Sequence, residues 1–412
     1  MALLSMNQLA GHLNTDIPSR KCSLGVFSSD HVLHCKPFHV RALQGPLRSL
    51  LNATTHTPLS VRADTPSVAV SNEVRSSLDI DWDNLGFGYH KTDFMYVSKC
   101  GSDGKWDEGE LQPFGALQLS PSAGILNYGQ GIFEGMKAYR TEDDRILLFR
   151  PEENALRMIS GADRLCMPTV PVNMFIQAVK QTVLSNERWI PPSGKGSLYI
   201  RPLLIGSGAV LGLAPAPEYT FVIFVAPVGN YFKEGLAPIH LKVENTYHRA
   251  APGGTGGVKT VGNYASVLKT QLSAKKSGFS DVLYLDAVES KYLEEVSSCN
   301  IFLVKGKKIA TPHLKGTILP GITRKSIIEL AQTLGYEVEE RAVCVDELRD
   351  ADEVFCTGTA VVISPVGSIM LHEDRLEYAN EGLGKVSKEL YSALTSIQMG
   401  QSADIMKWTV EI

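Results

Sequence analysis

The sequence has 412 residues, room for two packed cores rather than one. Hydrophobic residues make up 44% and charged residues 20%, the balance of a soluble globular chain. A formal net charge of -4 gives no electrostatic reason to expect nucleic acid or an anionic membrane as partner.

Residues 1–63 differ from the rest. They carry Arg20, Lys21, Lys36, Arg41, Arg48 and Arg62 against only Asp16 and Asp30, with frequent Ser, Thr, His and Pro. Acid-poor, basic and Ser-rich is the composition of an organelle transit peptide. The lack of glutamate and the Val61-Arg62-Ala63 junction favour a chloroplast, with a mitochondrion as the alternative. The plainer reading is a disordered tail with no targeting role.

The globular chain is expected to start near Leu78 and to form a smaller α/β domain over 78–227. In it, 146–149 and 197–205 read as strands, 173–187 as an amphipathic helix and 219–226 as a buried strand. The longest apolar runs, such as 219–227, are strand-length, whereas a membrane span needs about 20 residues. Two glycines and a proline mark 228–238 as the linker.

A larger domain is expected over 239–408. It opens with a helix over 263–276, Ala265, Leu268 and Leu272 on its apolar face and Gly278 as its stop. A strand over 281–286 follows, and then a hairpin of 293–304 and 308–311 around Lys-Gly-Lys. A helix over 323–334, stopped by Gly335, and short strands over 353–357 and 361–363 complete the pattern. The seven cysteines stand singly with no CxxC pair, and no secretory signal is evident. A disulfide framework or a metal site is not expected, and a reducing compartment fits best.

The segment Gly253-Gly254-Thr255-Gly256-Gly257-Val258-Lys259-Thr260 is the most unusual in the chain. A Walker A loop needs Gly and Lys adjacent after a buried strand. Here Val258 intervenes, and Tyr247-His248-Arg249-Ala250-Ala251-Pro252 is a poor strand. A flexible loop with a solvated lysine is one alternative. The other is a lysine that forms an imine, its small neighbours leaving room for a bulky cofactor. Pyridoxal phosphate would also need an anion cup. Leu319-Pro320-Gly321-Ile322-Thr323, a turn opening into a helix, offers free N–H groups and a hydroxyl. Gly358-Thr359-Ala360 offers a second, weaker cup. The pyridine nitrogen would need an acid. Glu294 and Glu295 lie in an apolar strand setting, where alternation turns one inward and the other outward.

Several segments together resemble the branched-chain aminotransferases of fold type IV. They are Asn127-Tyr128-Gly129-Gln130-Gly131-Ile132-Phe133-Glu134-Gly135, Ser197-Leu198-Tyr199-Ile200-Arg201-Pro202, Gly257-Val258-Lys259 with Gly262-Asn263-Tyr264, Glu295-Val296-Ser297-Ser298-Cys299-Asn300 and Leu319-Pro320-Gly321-Ile322-Thr323-Arg324. The resemblance runs from about Ile80 to the C-terminus and is greatest to the plant enzymes.

That resemblance implies a mixed α/β fold of two domains, with pyridoxal 5'-phosphate at their interface. Lys259 would be the imine lysine and proton shuttle. Glu295, rather than Glu294, would meet the pyridine nitrogen, and Tyr264 the ring's phenolic oxygen. Arg157 would grip the phosphate with Ile322, Thr323 and Thr359, since a guanidinium fork matches phosphate oxygens and stays charged. Arg249 and Ser298 would lie near the cofactor. Phe133, Tyr199 and Tyr231 would wall the side-chain pocket, with Tyr128 at its edge. Thr359 and Ala360 would offer backbone donors to the substrate carboxylate, and Arg201 would receive the distal carboxylate of glutamate. The loop carrying Leu211 and Leu213 would close over the partner subunit's site, which implies a homodimer. Some animal members follow Thr-Ala with a redox CxxC. Here those positions are Val361 and Ser364, so that switch is not available.

The expected reaction is transamination between leucine, isoleucine or valine and 2-oxoglutarate, giving branched-chain 2-oxo acids and glutamate. The competing readings are a D-amino-acid aminotransferase, an aminodeoxychorismate lyase, and a non-catalytic cofactor-binding protein.

Overall fold

The computed structural model describes residues 80–229, 236–378 and 382–412. The expected targeting segment 1–63, the site candidate Tyr231 and most of the expected linker lie outside the described residues.

After a 3-10 turn at Trp82–Asn84, the first strands are the antiparallel pair β1 (Phe94–Cys100) and β2 (Glu110–Pro113). Helix α1 (Gly124–Tyr128) and strands β3 (Gly131–Phe133), β4 (Met136–Arg140) and β5 (Ile146–Phe149) follow. Next come α2 (Pro151–Arg164), α3 (Val172–Ser185) and the long antiparallel pair β6 (Ser197–Gly206) and β7 (Tyr219–Val228). These strands form one antiparallel sheet in the order β5-β4-β6-β7-β1-β2. β3 lies beside β6, and the C-terminal strand Thr409–Glu411 lies beside β5. Leu148, Leu198, Ile200 and Phe221 of the sheet bury against Met158 of α2 and Phe175 and Val179 of α3.

Helix α2 is well specified locally. Pro151 occupies the first turn, and Glu152 and Glu153 complement the positive end of the helix dipole. Helix α3 ends at Ser185, two residues before the expected 187. Asn186 spends its amide on Thr182 O and Phe94 O and accepts from the N–H groups of Asp93 and Phe94, tying the helix end to β1.

The second sheet begins with β8 (Ile239–Glu244), followed by helices α4 (Gly262–Ala265) and α5 (Leu268–Lys276). Strands β9 (Asp281–Leu285), β10 (Leu293–Val296), β11 (Asn300–Lys305) and β12 (Lys308–Pro312) precede α6 (Ile322–Thr333). β13 (Glu337–Arg341), β14 (Glu353–Gly358), β15 (Val362–Leu371), β16 (Asp374–Glu377) and α7 (Lys385–Gln398) complete it. β10 pairs with both β9 and β11, so β10-β9-β8-β15-β14-β11 closes into a ring. Closure leaves those strands without an open edge. A third core joins the two sheets: Tyr139, Phe149 and Trp408 pack with Phe302, Phe355 and Ile327 and with Leu390 and Leu394 of α7.

Three expectations change. The helix over 263–276 is split at Ser266 and Val267, because Asn263 turns its side chain back onto the preceding loop and Ser266 Oγ takes the Asn263 carbonyl. Ala265, Leu268 and Leu272 face outward; Val267, Thr270 and Ala274 are the buried face. The strand over 293–304 is interrupted by a turn at 297–299, where Val296 N donates to Cys299 O. The strand begun at 361 starts at Val362 and runs to Leu371, parallel to β8 along its far half.

Candidate active site

Lys259 is held by a long-range clamp onto β3. Phe133 N donates to Lys259 O at 3.1 Å, Val261 N to Gly131 O at 3.1 Å and Thr260 Oγ1 to Gly131 O at 3.0 Å. Asn263 Nδ2 closes the glycine loop through Thr255 O at 2.7 Å and Val258 O at 2.8 Å. Three of the four glycines serve this packing rather than the room for a cofactor that the sequence suggests: a Cβ at Gly254 would lie 2.9 Å from Ala251 O. A Cβ at Gly256 would lie 2.2 Å from Thr317 O, and one at Gly257 would lie 3.0 Å from Gly316 O. The lysine is therefore on a fixed segment. Its ammonium donates to Tyr264 Oη at 3.1 Å, lies 4.6 Å from the Phe133 ring centroid, and faces a cavity of about 610 Å³. Burial, and then the nearby Arg157 charge, push it down to about 8.

Glu295 lines the same cavity from β10 and is buried. Its Oε1 accepts from Arg249 Nη1 at 3.2 Å and from Leu319 N. Burial raises its carboxyl to about 7, against the lowering charge of Arg249. Glu294 does not point outward as alternation suggests. It too is buried, its Oε2 without a hydrogen-bond partner among the described residues, and burial raises it as well. Tyr264 is pushed up to about 12 by burial, so its phenol is neutral and available to donate or accept.

At another wall, α6 opens at Gly321 with no side-chain cap, and Ile322 and buried Thr323 line the cavity. A Cβ at Gly321 would lie 2.1 Å from Asn300 Oδ1, so the approach of Asn300 fixes a glycine at this turn. Arg157 reaches the turn through Nη1 to Pro320 O at 3.1 Å. Its Nε and Nη2 donate to Glu134 at 2.8 and 2.6 Å. Thr359 Oγ1 donates to Gly135 O at 3.3 Å, and the buried Thr357, whose hydroxyl has no partner among the described residues, lines the same cavity. An uncapped helix N-terminus beside a fixed guanidinium is an anion site.

The rim is aromatic. The Arg201 guanidinium stacks 4.8 Å from the Phe133 centroid and 5.3 Å from that of Tyr199, while Phe87 meets Tyr199 edge-on at 5.0 Å. Gly135 makes the Tyr199 position possible, since a Cβ there would lie 2.1 Å from Tyr199 Oη. Ser298, Cys299, Ala360 and Val361 also line the cavity. Tyr128, Leu211 and Leu213 do not. Tyr128 Oη donates to Leu211 O, and the two leucines are 90% and 87% exposed.

Residues 131–369 match the family described as amino-transferase class IV. The chain is 71% identical over 334 residues to the branched-chain amino acid aminotransferase 2, chloroplastic, of Humulus lupulus, covering 81% of this chain and 82% of that one. It is 66% identical over 342 residues to the branched-chain-amino-acid aminotransferase 5, chloroplastic, of Arabidopsis thaliana, covering 83% and 82%. Among solved structures, a branched-chain amino acid aminotransferase of Escherichia coli matches with TM-score 0.68 and 28% identity, over 77% of this chain and 99% of that one.

The chain belongs to the class IV aminotransferases, in their branched-chain group.

In this aminotransferase the residues fit a pyridoxal phosphate. A partly desolvated lysine, a buried acid and an uncapped helix N-terminus with an arginine face one cavity. Arg249 stands at one remove from that cavity, paired with Glu295. Glu134 and Phe87 are site residues that the sequence reading did not single out. The signal for Glu134 was a lone acid in the apolar run Ile132-Phe133-Glu134-Gly135; for Phe87, in a loop far along the chain from Tyr199, there was none.

Proposed function

We propose that this aminotransferase exchanges the amino group of leucine, isoleucine or valine with 2-oxoglutarate, giving branched-chain 2-oxo acids and glutamate. The observation that carries this is the rim of the Lys259 cavity, where Phe87, Phe133 and Tyr199 give apolar walls and Arg201 crosses them as a cation. Such a pocket takes an aliphatic side chain and can also pair a second carboxylate.

Bound pyridoxal phosphate supplies an electron sink for negative charge at the substrate's α-carbon. Lys259 holds the cofactor and moves the α-proton, with the Tyr264 phenol beside its Nζ. Glu295, braced by Arg249 and Leu319 N–H, keeps a proton at the pyridine nitrogen. Arg157, Ile322, Thr323 and Thr359 would hold the cofactor's phosphate, and Ser298 lines the same cavity. Thr359 and Ala360 turn backbone donors to the α-carboxylate. Tyr128, Leu211 and Leu213 serve the partner subunit's site in a homodimer. We take 78–227 and 239–408 as the two domains, with the cofactor bound between them. Residues 1–63 direct the chain to the chloroplast, as their acid-poor, basic composition and the names of the plant relatives support.

The test is a coupled assay of purified protein with each branched-chain amino acid and 2-oxoglutarate, the D-enantiomers as controls. Turnover of D-leucine but not L-leucine would overturn the reading. A fluorescent fusion of 1–63 found only in mitochondria would overturn the localisation.

A further inference from the structure

Glu295 has a second buried acid beside it. Glu294, its neighbour on β10, is 6% exposed, and its Oε2 has no hydrogen-bond partner among the described residues. A carboxylate buried without a cation is costly, so one kept in such a place calls for a charge to meet. The cation at hand is Arg249. Its Nη1 already pairs with Glu295 Oε1 at 3.2 Å, both side chains 2% exposed, and its Nε donates to Ser297 O at 3.3 Å.

The surroundings of Glu294 do not supply a second cation. Burial raises its carboxyl; the Thr317 side chain and the charges of Arg249 and His248 oppose this, and Asp286 adds to it. His248 is exposed, so solvent screens it. Glu294 in turn raises Glu295, so the two acids act on each other. Two buried carboxyls therefore share one buried guanidinium, and the cluster is one positive charge short. Of its three members only Glu295 lines the Lys259 cavity, so that is where the cluster opens to a ligand. Lys259 faces Glu295 as well, but its nitrogen is taken up by the cofactor in the reading given above.

We propose that Glu294 is a positioning residue for the proton on the cofactor's ring nitrogen, acting through Arg249 and Glu295. Two carboxylates then balance the guanidinium and a protonated pyridine, two charges against two. With Glu295 alone, Arg249 would already match the acid, and a positive ring would be buried without a counter-charge. The inference rests on the reading that Glu295 meets the ring nitrogen.

The test is nitrogen NMR of holoenzyme loaded with pyridoxal phosphate isotopically labelled at the ring nitrogen, followed across pH. The shift reports directly whether that atom carries a proton. Glu294→Gln keeps the shape and removes the charge, and the pH at which the ring proton is lost should fall by about one unit or more, the effect of one neighbouring charge. Glu294→Asp, which keeps the charge, should stay close to wild type. Wild type and Glu294→Gln that hold the proton over the same pH range overturn the proposal and leave the Glu295 reading standing. An aspartate variant that falls as far as glutamine overturns it too, since shape and not charge would then be at work. A wild-type ring nitrogen that is unprotonated throughout removes the Glu295 reading itself, and the proposal with it.

Discussion

Glu134 grips Arg157 with both carboxylate oxygens, at 2.8 Å to Nε and 2.6 Å to Nη2, and the two side chains are only 1% and 10% exposed. Asn154 Nδ2 adds a donor to the same carboxylate at 2.8 Å. The guanidinium is thereby set before an anion arrives, leaving Nη1 toward the turn at Pro320. Removing one partner of a buried pair costs about 3–5 kcal/mol. Glu134→Gln should therefore lower Tm and weaken pyridoxal phosphate binding to apoenzyme by tens-fold. Pyridoxal, which lacks the phosphate, is the control and should lose far less. If both bind equally worse, Glu134 supports the fold and not the anion site.

Lys259 is set to be reactive near neutrality. A lysine captures a carbonyl as the neutral amine, which is present above its pKa. Because burial and Arg157 bring the group down to about 8, the rate of cofactor capture by apoenzyme should rise through about pH 8 and then level. An ordinary lysine would still be gaining past pH 10. Stopped-flow absorbance reads the profile. Borohydride should then fix the cofactor to the Lys259 peptide, and Lys259→Ala should lose multiple turnover. Label on another lysine would overturn the assignment.

Glu295 meets two opposed influences, burial that raises it and Arg249 that lowers it. Glu295→Gln keeps the shape but cannot hold a neighbouring ring nitrogen protonated. Cofactor should stay bound while the proton-transfer step slows by about 10²-fold or more, the range general acid–base contributions cover. Half-reactions with leucine followed by the cofactor spectrum measure this. Rates near wild type would show that Glu295 is only the counter-charge of Arg249.

The parts of this site that were legible in sequence are those whose neighbours in space are neighbours in the chain. Lys259 with Tyr264, and the 319–323 turn opening into α6, are of that kind. Contacts that cross the chain were not. Glu134 with Arg157, Phe87 with Tyr199, and the Gly131–Phe133 clamp on Lys259 depend on how strands and helices dock. Periodicity misled at Leu268 and Leu272, whose spacing marks an apolar face that this structure turns outward. Alternation failed at Glu294 because β10 sits in a closed ring of strands, buried on both faces.

The loop carrying Leu211 and Leu213 exposes two large apolar side chains while Tyr128 Oη ties it to α1 through Leu211 O. Burying a leucine contributes about 1.5–3 kcal/mol, so a partner covering both would be appreciably stabilised. The double variant Leu211→Asp, Leu213→Asp should raise KM for leucine and shift sedimentation toward a single chain. Unchanged mass and kinetics would refute the shared-site reading.

Arg201→Leu should damage the reaction with glutamate far more than that with leucine. The guanidinium lies between the Phe133 and Tyr199 rings, and its Nε is buried with no hydrogen-bond partner among the described residues. An unpaired donor of this kind is an anion receptor in waiting, because a buried polar group left unsatisfied is unfavourable. Glutamate's distal carboxylate loses water on entering an aromatic rim and needs that cation. Left alone there, it loses about 3–5 kcal/mol, a factor of hundreds or more in kcat/KM. Leucine brings no group that would miss the arginine, and a more apolar rim suits it. The two half-reactions are measured separately, by the cofactor spectrum, as kcat/KM for each substrate. If Arg201 instead braces β6 against the rings, glutamate and leucine should suffer alike, and equal losses would return it to the scaffold.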